Sequence, residues 1–379
     1  LEKEKDLNEN EYHQTVAIAC GGTGGHLFPG IAVARELRER GVDCILLVSG
    51  KDIDRVGSER YPDLRYEVLS VTARPPVFSL RFPVFLLGFG RAIWQCWRVL
   101  RSRQVAAVLG MGGFTSLLPL RVGSLLGKAV FLHESNAVPG RANRMSGRVA
   151  DKVFLGMADC ARHFPGRVVE VAGTPVRDDI RPVVDKGEAR AAFGLDPGRR
   201  TLLVVGGSQG ARALNRVVVD ALGRLAPDAL QLILLSGNED YREAKAYAEH
   251  HLQGRGFHVA AFCSDMAMAY AASDLVLARS GASTLSELAV VGLPSLLVPY
   301  PYAADDHQTA NAKVYVNAGA ARILPQRSLD ADSLAGELRQ LLRHPGELEA
   351  MGGAMRRTAV GNSAGSIADS IVAAIENQT

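Results

Sequence analysis

Two stretches decide the fold: Thr15-Val16-Ala17-Ile18-Ala19-Cys20-Gly21-Gly22-Thr23-Gly24-Gly25 and, half a chain later, Leu202-Leu203-Val204-Val205-Gly206-Gly207-Ser208-Gln209-Gly210. Each is a short aliphatic run that empties into Gly-Gly-Thr/Ser-x-Gly and then into a helical pattern. The helices are expected from about Pro29 to Arg40 and from about Ala211 to Leu225. A strand, a glycine turn and a helix in that order open a Rossmann-like unit. Two such units explain the recurrence better than one sheet, which would exceed the usual number of strands.

Working outward, Cys44–Val48, Val105–Leu109 and Ala129–Leu132 read as further strands of the first unit, the second of them running into Gly110-Met111-Gly112-Gly113. Leu232–Leu235, Leu275–Ala278 and Ser295–Val298 read as strands of the second. Strands alternating with helical patterns predict an α/β protein with parallel sheets. Pro175, Pro182 and a mixed-charge run place the boundary in Thr174–Gly187. The expected division is a flexible tail (1–14), a first domain (15–176), a second (177–360), and a closing segment (361–379) carrying a helix at Ser363–Glu376.

Of 379 residues, 47% are hydrophobic and 22% charged, which excludes disordered, collagenous and disulfide-scaffold proteins. The net charge of +3 is too balanced for a protein that coats nucleic acid. That balance hides an asymmetry. Between Glu67 and Glu134 there is no acid, while Arg74, Arg81, Arg91, Arg98, Arg101, Arg103, Arg121 and Lys128 are all basic. A local anionic partner is expected there. Cys20, Cys44, Cys96, Cys160 and Cys263 form no Cys-x-x-Cys pair, which fits a reducing cytoplasm. Leu1–Gln14 lacks the apolar core of a signal peptide, and the run Pro83–Gly90 is too short to span a bilayer.

Glycine turns at helix starts bring backbone N–H groups to an anion, most often a phosphate. None of the three loops has the Gly-x-Gly-x-x-Gly register of dinucleotide binders or the Lys-Ser/Thr of a P-loop. A fourth segment, Arg279-Ser280-Gly281-Ala282-Ser283-Thr284-Leu285-Ser286-Glu287, follows a strand and opens a helix, with Ser280 or Ser283 as candidate N-cap. Its amides suit a second phosphate. Glu287, one turn in, can accept two hydrogen bonds from a ribose diol, although taken alone it reads as an acid complementing the helix dipole. Together these features point to a nucleotide.

Gly21–Gly30, Met111–Ser116, His133–Asn136, Gly173–Arg177, Gly206–Arg212 and Arg279–Glu287 together resemble the MurG family, bacterial N-acetylglucosaminyltransferases of peptidoglycan synthesis that convert lipid I into lipid II. The resemblance runs through nearly the whole chain from Thr15. It implies a GT-B fold: two Rossmann-like domains with parallel sheets facing a central cleft, and a C-terminal helix returning to the first domain. It implies UDP-N-acetylglucosamine as donor, with Ser208 and the turn Ala282, Ser283, Thr284 and Leu285, running on into Ser286, at the diphosphate. Glu287 would meet the ribose and the Cys263 backbone the uracil. Gln308 and Asn136 would meet sugar hydroxyls, Thr23, Gly24 and Gly25 would close from the other domain, and Arg177 matches a further donor-site position. Ser135, Thr174 and His307 depart from the Gln, Asn and Gln common in the family.

The family's reaction implies an in-line displacement with inversion, which needs a base for the muramyl 4-hydroxyl and positive potential for departing UDP. His26, near a helix start whose dipole disfavours imidazolium, is the expected base, with Glu134, beside His133, as alternative. No cofactor or metal is expected. Asp52-Ile53-Asp54, formally Asp-x-Asp, reads as a solvated charge cluster paired with Lys51 and Arg55. Projected as a helix, Leu86–Ser102 places Arg91, Gln95, Arg98 and Ser102 on one face and Leu86, Ile93, Trp97 and Leu100 on another, with Trp94 beside Arg101 at the border. Arg91, Trp94, Arg98 and Arg101 are therefore expected to meet an anionic phospholipid surface. The resemblance supplies lipid I as acceptor, the cytoplasmic face of the membrane as location, and the cell-wall synthesis machinery as partner. Rival readings are an NAD-dependent oxidoreductase, a UDP-N-acetylglucosamine 2-epimerase of the same plan, and a non-catalytic sugar-nucleotide-binding subunit.

Overall fold

The computed structural model describes residues 14–69, 82–180, 184–206 and 211–377. The expected tail, apart from Gln14, and the expected diphosphate ligand Ser208 lie outside these residues, as do Arg74 and Arg81. The chain divides into two units, Leu1–Arg177 with Val360–Thr379, and Asp178–Ala359.

The first unit opens with β1 (Thr15–Ala19), α1 (Gly24–Glu39), β2 (Asp43–Val48), α2 (Asp52–Arg60) and β3 (Arg65–Val68). After α3 (Phe82–Ser102) come β4 (Val105–Gly110), α4 (Phe114–Leu125), β5 (Ala129–Glu134), α5 (Arg141–Ser146), β6 (Lys152–Leu155) and β7 (Val168–Val171). Its seven strands lie in the order β3-β2-β1-β4-β5-β6-β7, all parallel. Alternate residues of each strand serve opposite faces. Ile18, Leu46, Leu109 and Phe131 pack with Leu27 and Ile31 of α1. Ala17, Ile45, Val108 and Val130 pack with Cys96 and Leu100 of α3 and Leu120 of α4. Both faces are covered, which is why these strands read as continuous apolar runs.

The second unit holds α6 (Lys186–Ala192), β8 (Thr201–Val205), α7 (Arg212–Gly223), β9 (Gln231–Leu235), α8 (Tyr241–His251) and β10 (Phe257–Ala260). There follow α9 (Met266–Ala271), β11 (Leu275–Ala278), α10 (Ala282–Val291), β12 (Ser295–Leu297), α11 (His307–Asn317) and β13 (Ala321–Ile323). The helices α12 (Ala331–Arg343) and α13 (Pro345–Thr358) complete it. Its six parallel strands take the order β10-β9-β8-β11-β12-β13. The chain then returns to the first unit as α14 (Ser363–Glu376), where Ile367, Ile371 and Ile375 complete the core beside α1. Burying each contributes about 1.5–3 kcal/mol, which fixes the helix there.

In both sheets the strand order reverses once, between β1 and β4 and between β8 and β11. Ligands of open α/β sheets bind at such switch points, outside the carboxyl ends of the strands. The loops that leave β1, β4, β8 and β11 are the four glycine-bearing segments of the sequence. One expectation fails locally: α1 starts at Gly24 rather than Pro29, and Pro29 lies within it. A proline in the second turn forfeits one backbone bond, here to residue 25, without ending the helix.

Candidate active site

In the first unit, the loops after β1 and β4 meet around His26. The imidazole stands in the first turn of α1, with Nδ1 3.0 Å from Thr23 Oγ1. The ring rests on the second loop, where Gly113 has φ of +75° and a Cβ there would sit 2.9 Å from Cε1. Only glycine meets both demands. Burial pushes the His26 pKa down to about 4, so the ring is neutral at physiological pH. Burial is the cause of this shift, and the ring stands in the first turn of α1, where the helix dipole is expected to act in the same direction.

Glu134 closes β5 with both oxygens in use. Oε1 accepts from the backbone and side-chain nitrogens of Asn136, each at 2.9 Å, and Oε2 accepts from Asn143 Nδ2 at 2.7 Å. Asn143 in turn accepts the Gly113 N–H at 3.1 Å. Burial holds the carboxyl's pKa above its ordinary value, against these bonds and one from Gly140, which lower it. A carboxylate so occupied organises its neighbours and is poorly disposed to abstract a proton. Neighbouring His133 is buried, its Nε2–H donating to Gly173 O at 2.9 Å, and burial pushes its pKa down to about 4. Sequence reasoning missed Asn143, nine residues beyond Glu134 on a short helix with no motif around it.

Asp54 overturns its expectation. Far from solvated, it is 2% exposed. Its carboxylate accepts from the N–H groups of Gly22, Ser49 and Lys51 and from Ser49 Oγ, at 2.8–3.1 Å. The Arg177 guanidinium lies 5.0 Å over the Phe28 ring, on α1.

The outer face of α3 is where the projection needs correcting. Ala92, Cys96, Val99 and Leu100 are buried, whereas Ile93 and Trp97, which the projection groups with Leu100 on the apolar face, are 39% and 40% exposed. Trp94 is 56% exposed. Arg98 stacks over Trp94 and Arg101 over Trp97, both at 5.5 Å, and Arg91 is exposed beside them. Among the described residues no helix is long and apolar enough to cross a membrane.

In the second unit, the turn after β11 leads into α10 with Gly281 as N-cap and no side-chain cap, so neither Ser280 nor Ser283 takes that role. Ser280 Oγ instead donates to Gln308 O at 2.8 Å, and its own carbonyl accepts from Asn311 Nδ2. The Leu285 N–H makes the helix's first backbone bond, to Gly281 O, and its side chain is buried. The Leu285 N–H is thereby engaged within the helix itself. Glu287 Oε2 accepts from Tyr270 at 2.7 Å, and Ser286 is hydrogen-bonded to the Tyr315 side chain. Gln308 Oε1 accepts from Tyr300 N–H at 2.8 Å, which leaves Nε2 as its donating end. The structure thus brings Ala282–Glu287 and Gln308 together. Cys263 lies beyond the edge strand β10, its thiol donating to Asp265 O at 3.0 Å.

Two parallel-sheet units, each with glycine-bearing loops at its switch point and one closed by a returning C-terminal helix, define the GT-B class of glycosyltransferases. Residues 16–155 match the glycosyltransferase family 28 N-terminal domain and residues 201–369 the glycosyltransferase family 28 C-terminal domain; the chain belongs to glycosyltransferase family 28. A relative from Methylococcus capsulatus is 38% identical over 356 residues, covering 93% of this chain and 96% of its own. It is named a UDP-N-acetylglucosamine–N-acetylmuramyl-(pentapeptide) pyrophosphoryl-undecaprenol N-acetylglucosamine transferase. The crystal structure of Acinetobacter baumannii MurG superposes with a TM-score of 0.74 at 29% identity, covering 95% of this chain and 99% of that one. A UDP-GlcNAc 2-epimerase from Neisseria meningitidis bound to UDP-GlcNAc, 14% identical, shares the fold with a TM-score of 0.69, covering 95% of this chain and 99% of that one.

Proposed function

We propose that this protein transfers N-acetylglucosamine from UDP-N-acetylglucosamine to the 4-hydroxyl of the muramyl sugar of lipid I, giving lipid II. The observation that carries the substrates is the 38% identity, over 93% of this chain, to a transferase whose name states them. An epimerase is housed by the same fold, but the similarity there is one of fold alone.

The muramyl oxygen attacks the anomeric carbon as the bond to UDP breaks, with inversion. Its proton passes to His26. In the tautomer that donates Nδ1–H to Thr23 Oγ1, Nε2 holds the lone pair that receives it. Glu134 is reassigned from alternative base to positioning residue: through Asn143 it holds Gly113, on which the imidazole rests. In the second unit, the amides opening α10 stabilise the charge of departing UDP, Glu287 takes the ribose, and Gln308 Nε2 a sugar hydroxyl. Ser208 at the diphosphate, Cys263 at the uracil, Asn136 at the sugar and Thr23, Gly24, Gly25 and Arg177 at the donor rest on the family resemblance. The charge on UDP is met by backbone amides, so the transfer needs no metal. The aromatic–arginine face of α3 holds the protein peripherally on the anionic cytoplasmic face of the membrane that carries lipid I.

Incubation with UDP-N-acetylglucosamine and a lipid I analogue tests the reading. Disaccharide is expected to form equally with and without EDTA. UDP release without transfer would overturn the substrate assignment, and loss with EDTA restored by magnesium the metal-free one.

A further inference from the structure

Asp54 takes no part in the chemistry above, yet one of its four contacts falls at a telling place. The peptide group joining Gly21 to Gly22 has its N–H held by Asp54 Oδ1 at 3.1 Å. The carbonyl of the same group accepts from Thr115 Oγ1 at 2.8 Å. Asp54 stands in the first turn of α2 and Thr115 in the first turn of α4, so two separate helices grip one peptide plane from opposite edges. Gly22 has φ of +102°, a region open to glycine, and a peptide flanked by glycines on both sides rotates readily unless its two polar groups are held. The next residue is Thr23, whose hydroxyl meets the His26 ring.

We propose that Asp54 and Thr115 act jointly as a lock on the Gly21–Gly22 peptide plane, positioning residues that hold the first glycine loop so that Thr23 presents itself to His26. Rotation of the plane would turn the Gly21 carbonyl toward the Asp54 carboxylate, and acceptor facing acceptor is repelled. The other three donors on Asp54, Ser49 N–H, Ser49 Oγ and Lys51 N–H, all converge on Oδ2 and fix the side chain that does the holding. The inference rests on His26 as the base.

The test compares the full-length protein with Asp54→Asn, Thr115→Val and the double variant. Asn offers one acceptor atom in place of two, so it cannot serve both Gly22 and the Ser49–Lys51 side. Each single variant is expected to lose about 10–100-fold in kcat, the scale of a misplaced catalytic group. UDP-N-acetylglucosamine affinity, to which Thr23, Gly24 and Gly25 of this loop contribute, is expected to fall by less than kcat does, and the double variant to fall little below the worse single one, because a lock is lost once. Losses that multiply in the double variant, or that appear in donor affinity instead of kcat, overturn the proposal. Should Asp54→Asn unfold in a urea titration, Thr115→Val decides alone, and wild-type kcat in the folded variant overturns it. The imidazole nitrogen shifts of His26 give a readout independent of turnover. The same non-additive pattern there upholds the lock and its absence overturns it, even if the protein proves inactive in transfer, a result that would strike the assigned reaction instead.

Discussion

The loops of the first unit and the turn of the second solve one problem in opposite ways. Around His26, backbone geometry is imposed from a distance. Asp54 reaches Gly22 and Thr115 reaches Gly21, while Asn143 carries the hold of Glu134 to Gly113. The turn at Gly281 is shaped largely by its own helix, and its long-range ties, from Ser280 to Gln308 and Asn311, flank the amides rather than grip them. A loop held by buried side chains from elsewhere is rigid only while those side chains survive. One that is a helix start tolerates change around it.

The largest expected difference follows from His26. His26→Ala is expected to lower turnover by about 10²–10⁴-fold while donor affinity is nearly kept, measured by kcat beside calorimetric binding of UDP-N-acetylglucosamine. Unchanged turnover would remove His26 from the mechanism and with it the contrast.

Acid should divide the units next. His26 and His133 titrate near 6.5 in the unfolded chain and near 4 in the folded one. The unfolded state therefore binds more protons between those values, and stability is lost as pH falls from about 6.5 toward 4. For fully buried His133 this amounts to about 3 kcal/mol. Hydrogen exchange on the whole chain at pH 7 and pH 5 is expected to show the first unit loosening more than the second. Equal loosening would contradict it.

Smaller is the pair Glu134→Gln and Glu287→Gln. The first is expected to cost about tenfold in kcat with donor affinity kept, by releasing Asn143. The second is expected to cost about tenfold in donor affinity, with a melting temperature close to wild type. Exchanged outcomes would reverse the roles given to the two acids. Smallest is Arg98→Gln, expected to weaken binding to anionic vesicles by about fivefold, near 1 kcal/mol for one basic residue, without altering turnover on a soluble acceptor analogue. Binding indifferent to the change would take α3 out of membrane docking.

The same contrast explains what could be read from the sequence. Arg279–Glu287 is contiguous, so its strand, turn and helix were all legible, and β11 matches its expected bounds. Asp54 was not. It sits between Lys51 and Arg55 like any solvated acid, and the donors that bury it include Gly22, thirty-two residues away. On α3 the polar face and the burial of Leu100 were legible, but Ile93 and Trp97 of the same stripe stay exposed, because period alone does not say which large apolar residues meet the sheet. Ser280 failed as an N-cap because its hydroxyl is taken by Gln308, a partner no local pattern reveals.

The return of α14 bears on how the protein comes into being. Ile367, Ile371 and Ile375 belong to the core laid down by residues near the start of the sequence. On the ribosome, the earlier-made half waits with a hydrophobic seam open while the whole later-made half emerges, a delay on the order of tens of seconds at ordinary elongation speed. The later half can therefore finish folding before the earlier one, whose core closes only when the last helix arrives.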